Sequence, residues 1–232
     1  MEIKRISAAG VPAAGIADEL FSLALRHEYG DGVARDNQKA FELFLEAAEK
    51  GHFEAQIRVG LMYYNSYSGI GRNPAAALQW FQKAAETGDI GAQVLLAEMY
   101  RSGYGVASDK KAFELFLKAA EQGHAGAQQS IGWWVYHRGF AGVKKDPAAA
   151  LQWLLKAAIQ RYRPAQINLG EIYLKGDGVE KDEVEGLAWL YLAYKGGGER
   201  AAFFLAAAEK ELSDEKKQAA RSRSEDLMRV VN

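Results

Sequence analysis

The chain, 232 residues long, is predicted to be all-α: a solenoid of stacked antiparallel helix pairs closed by a C-terminal capping helix. Three observations carry this expectation. A phrase near Ala-Ala-Glu-x-Gly-His recurs, in Glu46-Ala47-Ala48-Glu49-Lys50-Gly51-His52, in Lys83-Ala84-Ala85-Glu86-Thr87-Gly88-Asp89 and in Lys118-Ala119-Ala120-Glu121-Gln122-Gly123-His124, before a degraded Lys156-Ala157-Ala158. The alanines that open the segment after each phrase, Ala55, Ala92, Ala127, Ala165 and Ala201, follow one another at 37, 35, 38 and 36 residues. A period in that range belongs to stacked helix pairs. Finally, apolar residues return every three or four positions inside each period, as one face of a helix requires. Five helix pairs plus terminal helices follow, because each unit has an apolar face that only its neighbours can cover.

The elements can be justified in order along the chain. Residues 1–17 read as an irregular N-terminal segment. Lys4-Arg5 precede a small-residue stretch from Ile6 to Ala17 in the manner of an export signal, but Pro12 and two glycines leave only Ile6, Val11 and Ile16 strongly apolar. A cytoplasmic protein is therefore expected, with the periplasm or secretion the alternative if a leader has been removed. The repeat array takes residues 18–212, opening with a helical pattern at Asp18.

In the first helix of a repeat a small residue precedes an aromatic by three positions: Gly60 and Tyr63, Ala97 and Tyr100, Gly170 and Tyr173. The small residue lets a neighbouring helix approach, and the aromatic fills the space beside it. A glycine pair then reverses the chain, in Gly30-Asp31-Gly32, Gly103-Tyr104-Gly105 and Gly176-Asp177-Gly178. N-cap candidates start the second helix: Asp36, Asn73 before Pro74, Asp109, Asp146 before Pro147, and Asp182. That helix carries Ala77-x-x-Trp80-x-x-Lys83 and Ala150-x-x-Trp153-x-x-Lys156, with Leu43, Leu115 and Trp189 at the tryptophan place elsewhere, all expected in the core. Gly51, Gly88 and Gly123 end it.

After Leu212 the composition changes. Ser213-Asp214-Glu215 looks like a helix start, and Ala220, Leu227 and Val231 offer a sparse apolar face. Residues 213–232 are thus expected to form a capping helix that covers Phe203, Phe204 and Leu205 at the end of the stack.

The run from Ala92 through Leu96-Ala97, Tyr100, Gly103, Gly105-Val106 and Asp109 to Ala112, Leu115, Lys118-Ala119-Ala120-Glu121 and Gly123-His124 closely resembles the Sel-1-like repeat, a relative of the tetratricopeptide repeat. The resemblance extends over about Asp18 to Leu212. It departs from the pattern at His27, which stands at a tyrosine place, at an insertion after Tyr63, and at Val135, which replaces the tyrosine of the fourth unit. Some members are stapled by disulfides, which a chain without cysteine cannot form. The resemblance implies a right-handed superhelix whose first helices line a concave ligand-binding surface.

Counting from Gly132 places Trp134 with Met62, Met99 and Ile172, in the core, and Trp133 with Leu61, Glu98 and Glu171. A position that accepts glutamate faces solvent. Tyr136 matches Tyr64, Arg101 and Leu174, a mixed set that a core would not tolerate. By the resemblance, Leu61, Tyr64, Glu98, Arg101, Trp133, Tyr136, Glu171 and Leu174 form the expected partner-binding groove, with Trp133 packed against the inserted Phe140 loop as the alternative.

Other chemistries are disfavoured by composition and motif. Lys plus Arg number 29 against 30 Asp plus Glu, so no positive excess exists to neutralise a phosphate backbone, and no nucleic-acid partner is expected. No apolar run approaches the roughly 20 residues that span a bilayer, so membrane insertion is not expected. The glycine pairs complete neither a P-loop nor a calcium-loop pattern, and their recurrence marks them as turns. His27, His52, His124 and His137 show no metal-ligand spacing, and His52 and His124 sit at equivalent inter-helix turns. There is no G-x-S-x-G elbow.

The expectation is a non-enzymatic scaffold or adaptor, monomeric, without cofactor or metal, that holds a protein or peptide partner on its concave face. Two alternatives stand beside it: an immunity protein that neutralises a cognate bacterial toxin, and, from another class, a hydrolase acting on a cell-wall or β-lactam compound.

Overall fold

The computed structural model describes residues 13–67, 69–103, 107–197 and 199–230. Among them are twelve α-helices and no strand. The segment before Ala13, Tyr104–Val106 of the third repeat's turn, and Val231 lie outside the described residues. The chain divides into two compact units, Met1–Ser108 and Asp109–Asn232.

In the first unit α1 (Ala13–Tyr29) packs on α2 (Asn37–Glu49), α2 on α3 (Phe53–Asn65), α3 on α4 (Pro74–Glu86), and α4 on α5 (Ile90–Ser102). The helical pattern thus begins at Ala13, five residues ahead of Asp18. In the second unit α6 (Asp109–Glu121) leads to α7 (Ala125–Ser130), which runs on as a π-helix over Ile131–His137, followed by a short 3-10 turn at Phe140–Gly142. Then come α8 (Pro147–Ile159), α9 (Arg163–Lys175), α10 (Glu183–Lys195), α11 (Glu199–Glu209) and α12 (Asp214–Val230). The first helices of the repeats are α1, α3, α5, α7 with its π-turn, and α9, and the second helices are α2, α4, α6, α8 and α10.

A repeated side-chain fit holds the second, fourth and fifth pairs together. The fully buried large residue of the second helix is Phe44, Phe81, Phe116, Leu154 or Leu190, one position beyond the tryptophan place. In those three pairs it rests on the small residue of the first helix: a Cβ at Gly60 would lie 2.6 Å from the Phe81 ring, one at Gly132 2.9 Å from Leu154, and one at Gly170 2.7 Å from Leu190. Each such side chain contributes about 1.5–3 kcal/mol on burial. The tryptophan place itself is less uniform than expected. Trp80 and Trp189 are buried, whereas Trp153 is only half-buried, with the Lys156 ammonium 4.3 Å above its ring.

The caps follow the sequence closely, with one shift. Asp36, Asn73, Asp146 and Asp182 each accept a backbone N–H three residues on. In the third repeat Asp109 is instead the first residue of α6, and Ser108 takes the cap place, its N–H donating to the Tyr100 carbonyl. His52 and His124 prove to be N-caps of the first helices: Nδ1 accepts from Ala55 N–H at 3.2 Å and from Ala127 N–H at 3.1 Å. Asp89 does the same for Ala92 at 2.8 Å. The glutamines that follow these alanines add a tie that the sequence reading missed. Gln56, Gln128 and Gln166 donate Nε2–H to the carbonyls of Ala48, Ala120 and Ala158, which also accept a backbone N–H from the turn that follows, and so tie each first helix to the end of the preceding one.

At the C-terminal end α12 lies against α10. It buries Ala220, Ser224 and Leu227, and Arg223 pairs with Glu185 at 2.7 Å. Leu205 is buried, but Phe203 remains 73% exposed. The expected cover over Phe203 is therefore corrected: the helix turns its small-residue stripe to α10, where close approach is easiest, and not to the outer face of α11.

Candidate functional site

The expected groove residues were located by counting from the small residue of each first helix, and in the fourth repeat that count is offset. The N–H of the residue before each second helix donates to a carbonyl one repeat element back: Asp36 to His27, Asn73 to Tyr63, Ser108 to Tyr100 and Asp182 to Tyr173. In the fourth repeat Asp146 donates to Tyr136, at 2.9 Å. Tyr136 thus occupies the tyrosine place, and the π-turn, with Arg138 N–H reaching Trp133 C=O, absorbs one extra residue.

Three corrections follow from that offset. Val135, fully buried, takes the core place of Met62, and Trp134 does not enter the core: it is 36% exposed and falls where Leu61, Glu98 and Glu171 stand. Trp133 is half-buried against the second unit's core, stacked on the His137 ring at 4.4 Å and covered by the Arg138 guanidinium at 5.1 Å. Tyr136 leaves the groove register, and His137 inherits it. The His137 side chain is buried and lies 3.4 Å from Asp177. Burial lowers its pKa below the usual 6.5, against the opposing pull of the Asp177 carboxylate.

Within the first unit the first helices α1 and α3 line an open cavity of about 520 Å³. Phe21, Ile57, Leu61, Met62 and Tyr67 supply apolar walls, and Glu28, Glu54, Arg58 and Asn65 supply polar ones. Glu28 is 5% exposed and accepts from Arg58 Nη1 at 3.0 and 3.2 Å, while the guanidinium also lies 5.4 Å from the Phe44 ring. A buried carboxylate with one bidentate-capable partner is costly unless so paired. Glu28 is not among the residues expected in the groove, yet it shares their register: Ala24 and His27 match Gly60 and Tyr63, so Glu28 matches Tyr64. Leu61 lines this cavity. Tyr64 is half-buried beneath the Arg72 guanidinium, 5.8 Å from its ring. Further along, Arg101 donates to Glu98 Oε2 at 2.6 and 2.9 Å.

Within the second unit Glu171 and Leu174 line a smaller cavity, of about 280 Å³, between α9 and α11. Glu171 accepts from Lys175 at 2.7 Å. Glu183 stands in the same wall, where hydrogen bonds from Lys181 and Lys216 lower its carboxyl to about 2. The structure therefore brings Leu61 together with Glu28, and Glu171 with Leu174. Among the described residues no group of three or more His, Asp and Glu side chains is placed to hold a metal ion, and no helix is long and apolar enough to cross a membrane.

Helix pairs repeated at this period, with uncovered cavities on the first-helix side, define an α-solenoid repeat protein. The Sel1 repeat matches residues 20–52, 53–89, 90–124, 125–162 and 163–198, and the chain belongs to the Sel1 repeat family. It is similar to c5321, a protective antigen of uropathogenic Escherichia coli with an SLR fold, at 33% identity and a TM-score of 0.79, over 93% of this chain and 46% of that one. A Sel1 repeat protein from Oxalobacter formigenes matches at 26% identity and a TM-score of 0.78, over 99% and 91% of the two chains. Chitin synthase regulatory factor 3 of Schizosaccharomyces pombe is 31% identical over 200 residues, 77% of this chain but 21% of that protein, so the chain spans about a fifth of its length. The immunity protein Pa5087 of Pseudomonas aeruginosa shares the fold at 20% identity and a TM-score of 0.56, over 93% and 83% of the chains.

Proposed function

We propose that the protein is a non-enzymatic scaffold that holds a protein partner on the faces of its first helices. The observation that carries this reading is the cavity between α1 and α3, where half-buried Phe21, Ile57 and Leu61 stand beside the buried Glu28 and its partner Arg58. Apolar walls with a few convergent polar groups are what recognition sites share. Trp134, exposed at the equivalent register in the second unit, is a residue type enriched in binding hot spots. Glu98 and Arg101 in the first unit, and Glu171 and Leu174 in the second, belong to the candidate surface of their own unit, and no residue is assigned to catalysis.

A photo-crosslinking amino acid at Leu61 or Trp134 tests this in the native host. The same discrete protein adduct is expected at both places and none at Gln79 or Gln152, exposed positions on the second helices. Adducts confined to the second-helix positions would overturn the assignment. The immunity reading has a shared fold alone behind it, and the adduct's identity separates it: a toxin bound one-to-one would select it over a general adaptor.

A further inference from the structure

We propose that α11 is the interface of a symmetric homodimer, in which two copies of the chain pack this helix antiparallel against itself. α11 carries the first-helix pattern one period beyond the fifth pair: Ala201 follows Ala165 by 36 residues and is buried, as Ala165 is. Ala206 therefore holds the place of Gly60, Gly132 and Gly170, the small residues on which Phe81, Leu154 and Leu190 rest. Among the described residues the place above Ala206 is open: α12 lies against α10, and Ala206 is exposed.

Glu199, Phe203, Ala206 and Lys210 follow one another at four, three and four residues, so they form one stripe along the helix and its last turn. The stripe lies opposite buried Ala201 and Leu205, and all four of its residues are exposed, Phe203 at 73%. Phe204, packed against the core, meets the Phe203 ring edge-on at 5.8 Å and props it outward. The centre of the stripe is thus a large apolar side chain beside a small one, and its two ends carry opposite charges.

Such a stripe is complementary to itself. With two copies antiparallel about a two-fold axis, the register that sets Phe203 opposite Ala206 of the second copy also sets Glu199 opposite Lys210, because both pairs are centred between Phe204 and Leu205. Each ring then fills the space over a small residue, the fit by which Phe81 sits on Gly60 within the chain. Two ion pairs close the ends, and among the described residues neither Glu199 nor Lys210 has an ion-pair partner in its own chain. A parallel pair would instead oppose Glu199 to Glu199 and Lys210 to Lys210, which like charges disfavour. The match of size and charge in one register selects a second copy over an unrelated helix. Eleven helical residues on each side make a small contact, so the dimer is weak and reversible, and the monomer expected from the sequence is its dilute form.

The test is sedimentation equilibrium of the full chain from about 10 μM to about 1 mM, a range that brackets a weak contact. A single reversible monomer–dimer equilibrium is expected. Phe203→Lys keeps the helix, since Glu199 four residues earlier supports a lysine there, and should weaken the dimer about tenfold or more without lowering the melting temperature. Glu199→Lys and Lys210→Glu should each weaken it severalfold, and the double variant, which reverses both charges, should recover the parent's affinity. Circular dichroism checks that each variant is folded. A parent that stays monomeric to the highest concentration, one that forms larger assemblies, a Phe203→Lys protein that associates as the parent does, or a double variant as weak as the single ones would each overturn the proposal.

Discussion

Val135 decides between two registers of the fourth repeat, and its replacement separates them quantitatively. Its side chain is 0% exposed and takes the core place of Met62 in the second repeat. Truncation to alanine removes two methyl-sized groups, worth about 1.6 kcal/mol at about 0.8 kcal/mol each. The void left behind, roughly 50 Å³ at about 24 cal/mol per Å³, adds about 1 kcal/mol if nothing relaxes. Val135→Ala should therefore cost about 2–3 kcal/mol. With a urea m-value of about 2 kcal/mol per molar, the midpoint falls by about 1 M. Val135→Tyr installs the residue that plain counting from Gly132 would restore, yet here it overfills a closed space and should cost about 1–3 kcal/mol or more. Urea unfolding followed by circular dichroism, with hydrogen exchange over residues 125–137 to localise the loss, measures both variants. A Val135→Tyr protein as stable as the parent, or a neutral Val135→Ala, would refute the shifted register and return Tyr136 to the groove.

Gly170→Ala gains about 1 kcal/mol of helix propensity but places a Cβ 2.7 Å from Leu190, so a net loss of up to about 2 kcal/mol is expected in the same unfolding assay. His124→Ala removes the acceptor for Ala127 N–H and should cost about 1 kcal/mol, whereas His124→Asp, which copies Asp89, should restore the melting temperature. Because burial lowers the His137 pKa in the fold, the unfolded chain binds this proton more readily; stability is full above pH 6.5 and is lost as pH falls from there through the folded value. His137→Asn should flatten that part of a stability-versus-pH profile, and an unchanged slope would show that His137 does not set it.

The sequence by itself determined the repeat, the helix pairs, most caps and the left-handed glycines, because each of these is a local matter. A glycine at positive φ, an aspartate that can reach an N–H three residues on, and an alanine stripe at helical spacing are readable from neighbours along the chain. The first-helix register was legible wherever the helix keeps its α-helical count, as at Leu61, Glu98, Glu171 and Leu174. It failed at Trp133, Trp134 and Tyr136, where a π-turn adds a residue: whether an insertion is taken up inside a helix or in the following loop depends on which choice keeps Gly132 against Leu154, Val135 buried and a carbonyl within reach of Asp146, and those partners lie beyond the helix itself. The same holds for Glu28, whose burial becomes tolerable only when Arg58, thirty residues further on, is folded against it. Tertiary structure decided these points because burial, charge pairing and helix register are each set by atoms that the chain brings together only on folding.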